Sequence, residues 1–281
     1  MINKNALSSL YKTAIYSILI LSLITGINCK KNPVTPPDNL PDTTSHEISW
    51  EIDTIGGWQS RFNDIWGTDE NNVYAVGTVF LSLDPYKVTN IMHWDGNKWE
   101  AIDYLEGDIS GIYGFDKNNI WICGDWQVDD KAYALIGYWN GSKWQTWKFN
   151  EYPNLSSIWG TSSNNLYACG ANGTILRYDG KNWNKITTNV TESLRSIWGN
   201  SENEIYAVGN TFDTYSWVVL KYDGSTWKKV KESSNTPEKA VGELTTIWTC
   251  KSNTYYTNEF IGKDTSWSLF GCQMIIHSLT R

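Results

Sequence analysis

Histidine and arginine are scarce in this 281-residue chain: three histidines (His46, His93, His277) and four arginines (Arg61, Arg177, Arg195, Arg281). There is no Gly-x-Ser-x-Gly, no zinc motif, no phosphate-binding glycine loop and no nucleophilic cysteine–histidine set, so the common catalytic signatures are missing. Five cysteines occur, but no Cys-x-x-Cys and no metal-ligand spacing, which argues against a disulfide framework or a structural metal. Neither a cofactor nor a metal is expected. After Glu47 no segment shows a 3.6-residue apolar period, which removes helical architectures. Lys and Arg total 23 against 30 Asp and Glu, a net charge of −7. That balance lacks the basic footprint a nucleic-acid partner requires.

The N-terminus carries no acidic residue before Cys29. Lys4 and Lys12 precede an apolar run from Ala14 to Ile27, too short to span a bilayer comfortably and placed like a signal-peptide core. The run ends at Ile24-Thr25-Gly26-Ile27-Asn28-Cys29, which resembles a bacterial lipoprotein signal whose cysteine becomes the lipidated first residue. Asn28 departs from the small residue expected there, and ordinary secretory cleavage or an uncleaved anchor is the alternative. Lys30 to His46 holds four of the seven prolines among Asp, Asn, Thr and Ser, a composition that stays extended. The expected organisation is a signal peptide over 1–28, a lipidated Cys29 with tether over 29–46, and one folded domain over 47–281, anchored in the bacterial cell envelope on an undetermined side.

What the domain does have is a phrase stated four times and begun a fifth. Ile65-Trp66-Gly67, Asn72-Val73-Tyr74-Ala75-Val76-Gly77 and Trp94-Asp95-Gly96-Asn97-Lys98-Trp99 make the first copy. The openings recur at Ile112, Ile158, Ile197 and Ile247, spaced by 47, 46, 39 and 50 residues. Self-similarity at this period indicates a propeller or solenoid. Each copy parses into four short strands of alternating β-branched and aromatic residues bounded by Gly, Asn and Asp. Asp95-Gly96, Asn140-Gly141, Asp179-Gly180 and Asp223-Gly224 read as two-residue type I′ hairpins. Four-stranded units in series predict an all-β propeller, with repeats at about 60–103, 108–149, 154–187, 193–231 and 243–281.

Five blades are preferred: four whole, and one shared between the chain ends. Ser49-Trp50-Glu51-Ile52-Asp53 matches Lys98-Trp99-Glu100-Ala101-Ile102-Asp103, so residues 47–57 are expected to supply a closing outer strand. The last copy supplies Leu244–Thr249, Tyr255-Tyr256-Thr257 and Ile275-Ile276-His277. The rival reading is a truncated form of a larger propeller. Cys123 and Cys169 take the slots of Val76 and Val208 and read as core; Cys250 and Cys272 could pair, though nothing in the repeat favours it. His93 and His277 fill equivalent third-strand slots, which also reads as structure.

Thr174-Ile175-Leu176-Arg177-Tyr178-Asp179-Gly180-Lys181-Asn182-Trp183 resembles the repeat unit of bacterial secreted and lipoprotein β-propellers, and the resemblance covers nearly all of residues 48–281. More distantly the closing hairpin is similar to the Asp-box of sialidase-type propellers and to kelch-like repeats. The Asp-box has a residue between Asp and Gly that every copy here lacks, and four scattered arginines do not make a sialidase cluster. The resemblance therefore implies a propeller and no sialidase chemistry.

Twelve of the 17 tryptophans sit in repeat slots and are expected to pack blades together; Trp58, Trp126, Trp147, Trp217 and Trp267 do not. Connections between second and third strands vary most (78–90, 125–135, 171–174, 210–218), and variable loops on a fixed scaffold are where binding resides. They carry the candidate ligand-binding residues Asp84, Tyr86, Asp125, Trp126, Asp129, Asp130, Phe212, Asp213, Tyr215 and Trp217. Aromatics interleaved with carboxylates suit a glycan or a protein partner; solvated loops are the plain alternative. The leading expectation is a non-catalytic binding module for glycan or envelope protein, held to the membrane by its N-terminal lipid. A polysaccharide hydrolase or lyase using Asp84, Asp125 or Asp213, and a structural assembly factor of the envelope, are the alternatives.

Overall fold

A computed structural model of the chain describes residues 54–83, 85–104, 106–211, 216–232, 244–251, 254–257, 260–263 and 266–269. The expected signal peptide, Cys29, the tether, Phe212, Asp213, Tyr215 and Asp84 lie outside them. The described residues contain five antiparallel four-stranded sheets, one per repeat. The first comprises β1 (Arg61–Asp69), β2 (Asn72–Leu83), β3 (Tyr86–Trp94) and β4 (Trp99–Ile102). The second comprises β5 (Asp108–Asp116), β6 (Asn119–Val128), β7 (Lys131–Trp139) and β8 (Trp144–Pro153). The third holds β9 (Leu155–Ser162), β10 (Asn165–Gly170), β11 (Ile175–Tyr178) and β12 (Trp183–Ile186). The fourth holds β13 (Ser193–Ser201), β14 (Glu204–Asn210), β15 (Trp217–Tyr222) and β16 (Trp227–Glu232). The last is β17 (Ile247–Lys251), β18 (Thr254–Thr257), β19 (Phe260–Lys263) and β20 (Ser266–Leu269).

The repeated words have local causes. In each of the first four sheets the pairing of the first two strands carries two register shifts at corresponding places, as at Phe62/Asp64 and Gly67/Asp69, so each first strand is bent and twisted in the same way. The glycine ending Tyr-Ala-Val-Gly answers one of these bends. A Cβ on Gly124 would collide with the carbonyl oxygen of Asp108, as one on Gly77 would with that of Arg61. Burial does the rest. Ile112, Ile158, Ile197 and Ile247 are 1–4% exposed, each in a cluster with second-strand residues of the preceding sheet, such as Tyr74 and Val76 around Ile112. Ile65, in the first sheet, is 63% exposed.

Two features depart from the expectation. The Asp/Asn-Gly turns are not two-residue hairpins: Trp94 pairs with Trp99, leaving four residues between. Only the glycines there have positive φ (Gly96 95°, Gly141 88°, Gly180 90°, Gly224 93°). The acidic or amide side chain closes the loop itself, Asp95 Oδ1 accepting from the N–H groups of Asn97 (2.8 Å) and Lys98 (3.0 Å), which is an Asx-turn. These bonds hold the carboxyls of Asp95 and Asp179 below the usual carboxylate range.

The last sheet also differs. Its third and fourth places are filled by β19 and β20, whereas Ile275–His277 and an N-terminal strand were expected there. Lys263 pairs with Ser266 across two residues, and so local a hairpin costs far less loop-closure entropy than recruiting a strand some 200 residues away. Residues 47–53 and 275–277 lie outside the described residues. Residues 54–60 form no strand; Gly57 N–H donates to Phe80 O (2.6 Å) and Phe80 N–H to Ser60 Oγ (3.0 Å).

Candidate functional site

The variable second-to-third connections are long strands more than loops. β2 and β3 stay paired out to Leu83–Tyr86, and β6 and β7 out to Val128–Lys131. β10 and β14, at 6 and 7 residues, are far shorter than β2 and β6, at 12 and 10. Alternating β-branched and aromatic residues (Val79, Phe80, Tyr86, Val88; Trp126, Val128, Tyr133) sustain the pairing past the point where the sister repeats turn. The first two sheets therefore raise two projecting hairpins side by side.

Between their bases lies a cleft of about 270 Å³, lined by Thr78, Val88, Thr89, Asn90, Gly107, Asp108, Asp125, Trp126 and Gln127. It brings together two sequence candidates, Asp125 and Trp126, with three residues that sequence reasoning missed: Thr89, Asn90 and Asp108. Asp108 and Asp125 stand directly opposite each other in the β5–β6 pairing, so their side chains share a sheet face, an arrangement that is destabilising for like charges. Burial, and then the Asp108 charge, push the Asp125 carboxyl above its usual value, while Arg61 acts in the opposite sense. Asn90 is 5% exposed. Its Nδ2 donates to Gly107 O at 2.6 Å, which orients the amide, and its Oδ1 has no hydrogen-bond partner among the described residues. Trp126 Nε1, a donor, is likewise buried without one. The ring of Trp126 is capped by the Lys148 ammonium, 5.2 Å from its centroid, and Lys148 in turn pairs with Glu106 at 2.5 Å.

The remaining candidates are placed elsewhere. Trp217 is 4% exposed in the core around Tyr206, Val208 and Leu244; it is a packing residue, because β15 begins at it and turns it inward. Trp147, without a repeat slot in the sequence, stacks on Trp121 with centroids 5.8 Å apart. Asp129 and Asp130 are the tip of the β6–β7 hairpin, with φ of 48° and 61°. That is the type I′ geometry expected of the Asp-Gly sites, realised where no glycine stands. Tyr86 is 69% exposed beside Phe80, ring centroids 6.0 Å apart. His93 is structural: it stacks on Tyr74 at 4.3 Å, its Nε2 lies 2.7 Å from Asn72 Oδ1, and burial lowers its pKa.

A larger opening of about 380 Å³ lies toward the other end of the same strands, lined by Asn72, Tyr74, His93, Ile102, Trp139 and Trp144 among others. Most of those residues occupy slots that recur in the other repeats, so this opening belongs to the scaffold. The hairpin cleft, by contrast, lies between the two extended hairpins of the first two sheets. Among the described residues no group of three or more His, Cys, Asp or Glu side chains could hold a metal ion.

No family model and no curated protein matches the chain. Solved structures do. YCF48 bound to D1 peptide aligns with a TM-score of 0.50 at 15% identity, covering 76% of this chain and 68% of that one. A chain of the nidogen/laminin complex aligns with a TM-score of 0.50 at 13% identity, covering 73% and 76% respectively. The fold is a β-propeller. At these identities the propeller likeness is one of architecture.

Proposed function

We propose that the chain is a lipid-anchored β-propeller of the bacterial cell envelope that serves as a non-catalytic recognition module, gripping a segment of a partner protein in the hairpin cleft. The observation that carries this reading is the pair of unmatched polar atoms, Asn90 Oδ1 and Trp126 Nε1, in one cleft between the extended hairpins of the first two sheets. An extended peptide offers an N–H for the former and a carbonyl for the latter, and buried polar groups left unmatched are costly. A protein segment is favoured over a glycan because the Trp126 face, the obvious platform for a sugar ring, is already taken by Lys148. Two of the similar structures are complexes, one with a D1 peptide and one of nidogen with laminin, which supports the reading by analogy of fold. The leader, Cys29 and the proline-rich spacer support export and anchoring.

The test is selection of peptides on the purified chain, followed by Tyr86→Ala and Gln127→Ala, both exposed positions on the two hairpins. Binding weakened at least fivefold with an unchanged Tm is the expected result. Peptides whose binding ignores both changes would place the ligand on another face. Anchoring is checked by fractionation: Cys29→Ala is expected to move the chain out of the membrane fraction.

A further inference from the structure

Resting on that reading of the cleft, we infer that its occupant presents a cation, the guanidinium or ammonium of a basic residue. Acceptors dominate the floor of the cleft. Asp108 and Asp125 place two carboxylates on one sheet face from adjacent strands. Asn90 adds a third acceptor group, an amide oxygen from the neighbouring sheet, and its orientation is fixed by the bond from Nδ2 to Gly107 O. Thr89 Oγ1 spends its proton on Ile102 O at 2.7 Å and accepts from the Ile91 N–H at 3.4 Å, so toward a ligand the hydroxyl offers one remaining lone pair and no proton. A group with several N–H donors and a positive charge satisfies this set; an acceptor or an anion leaves it unmatched.

The resident cations do not already do so. Lys148 is engaged by Glu106 and by the Trp126 ring. Arg61, exposed on β1, offsets only part of the burial and Asp108 charge acting on Asp125. Two carboxylates directly opposed across a strand pair are a cost to the fold by itself, and a bound cation removes that cost. Arginine suits the site best, since its planar fork can reach a carboxylate and an amide oxygen together. The backbone carbonyl of the same residue then serves Trp126 Nε1.

The experiment titrates the purified chain with N-acetyl-arginine methylamide and N-acetyl-lysine methylamide, following the indole N–H resonance of Trp126, assigned through Trp126→Phe. N-acetyl-citrulline methylamide, the neutral isostere, and calcium chloride are run beside them. The expected result is a saturable shift with the basic probes, at least tenfold weaker with citrulline. Asp108→Asn and Asp125→Asn, close in shape to the originals, are each expected to weaken it at least fivefold without lowering Tm. Citrulline binding as well as arginine, or a shift that survives both carboxylate changes, would overturn the proposal. A carboxylate-dependent shift with calcium and none with the basic probes would replace it by a divalent-cation site. If selected peptides still bind through Tyr86 and Gln127 while no basic probe acts, the recognition face stands and the cation assignment falls. If neither binds, both fall.

Discussion

The carboxylate of Asp64, on the first strand of the first sheet, accepts a hydrogen bond from the backbone N–H of Ile112 on the first strand of the second, 3.0 Å away. Ser157 Oγ takes the same role toward Ile197 N–H at 3.4 Å, and Ser196 Oγ toward Ile247 N–H at 3.2 Å. The residues before Ile65, Ile158 and Ile197 thus each tie their sheet to a later one, and a hydroxyl suffices for the task. Asp64→Ser is therefore expected to keep the link. Asp64→Ala leaves the Ile112 N–H unmatched and is expected to cost about 1–3 kcal/mol in urea unfolding. Burial raises the Asp64 carboxyl despite the two N–H groups that bond it, so Asp64→Ser is expected to be no less stable than the parent at neutral pH.

Asp125 gives the cleft a signature in the pH dependence of stability. Its folded pKa lies above the ordinary 3.8, first through burial and then through Asp108, with Arg61 opposing. The folded state therefore holds the proton more tightly than the unfolded chain does. Stability falls as pH rises from that ordinary value through the raised one. Asp125→Asn is expected to flatten this part of the curve and to match or exceed the parent at neutral pH. A variant curve parallel to the parent's throughout would show that Asp125 is not held in a desolvating environment.

The tip of the β6–β7 hairpin separates turn chemistry from ligand chemistry. Asp129 and Asp130 both occupy left-handed backbone, which asparagine and glycine adopt more readily. Replacing the pair by Asn-Gly is expected to hold or raise Tm and to leave peptide capture intact. Asp130→Val, β-branched at φ 61°, is expected to destabilise by roughly 1–2 kcal/mol. Loss of capture in the Asn-Gly variant would return these carboxylates to the binding site.

Cys123 and Cys169 report on the core. Both side chains are fully buried, and burial pushes both thiols well above their ordinary pKa. Because only the thiolate reacts, alkylation of the native chain by iodoacetamide at pH 8 is expected to proceed no faster than unfolding. Labelling is read by peptide mass spectrometry with and without denaturant. Rapid native labelling at either position would contradict the packing.

Much of this was legible in one dimension. The recurring Ile-Trp-Gly, Tyr-Ala-Val-Gly and Asp-Gly-x-x-Trp words place the strands of the first four sheets, because each word meets a constraint local to one sheet: a bend, a close backbone approach, an Asx-turn. The repeat also identified Cys123 and Cys169 as core, together with Trp121, Trp159, Trp183 and Trp227; Trp66, Trp94, Trp99, Trp139, Trp144 and Trp248 are only half-buried, and Trp198, in the slot of Trp159, is 37% exposed. Reading failed where a residue's partner is not implied by its slot. Trp217 and Trp147 lie outside the repeat words and pack inward all the same. The segments taken for loops at 78–90 and 125–135 are continuations of strands, because pairing partners facing each other across a hairpin appear as two separate short runs. In the last repeat, the local hairpin of β19 and β20 occupies places expected for distant segments.

The sequence by itself determined an all-β chain of four-stranded units, the places of their turns, and the expectation of an exported, anchored protein. Only the tertiary structure decided which carboxylates face one another, that Asn90 from one sheet meets Asp125 and Trp126 from the next, and that Lys148 caps the indole. The physical reason is the difference in range: strand pattern and turn type are set by residues a few positions apart. A cleft between sheets is set by register and by the angle at which successive sheets pack, which no single repeat encodes.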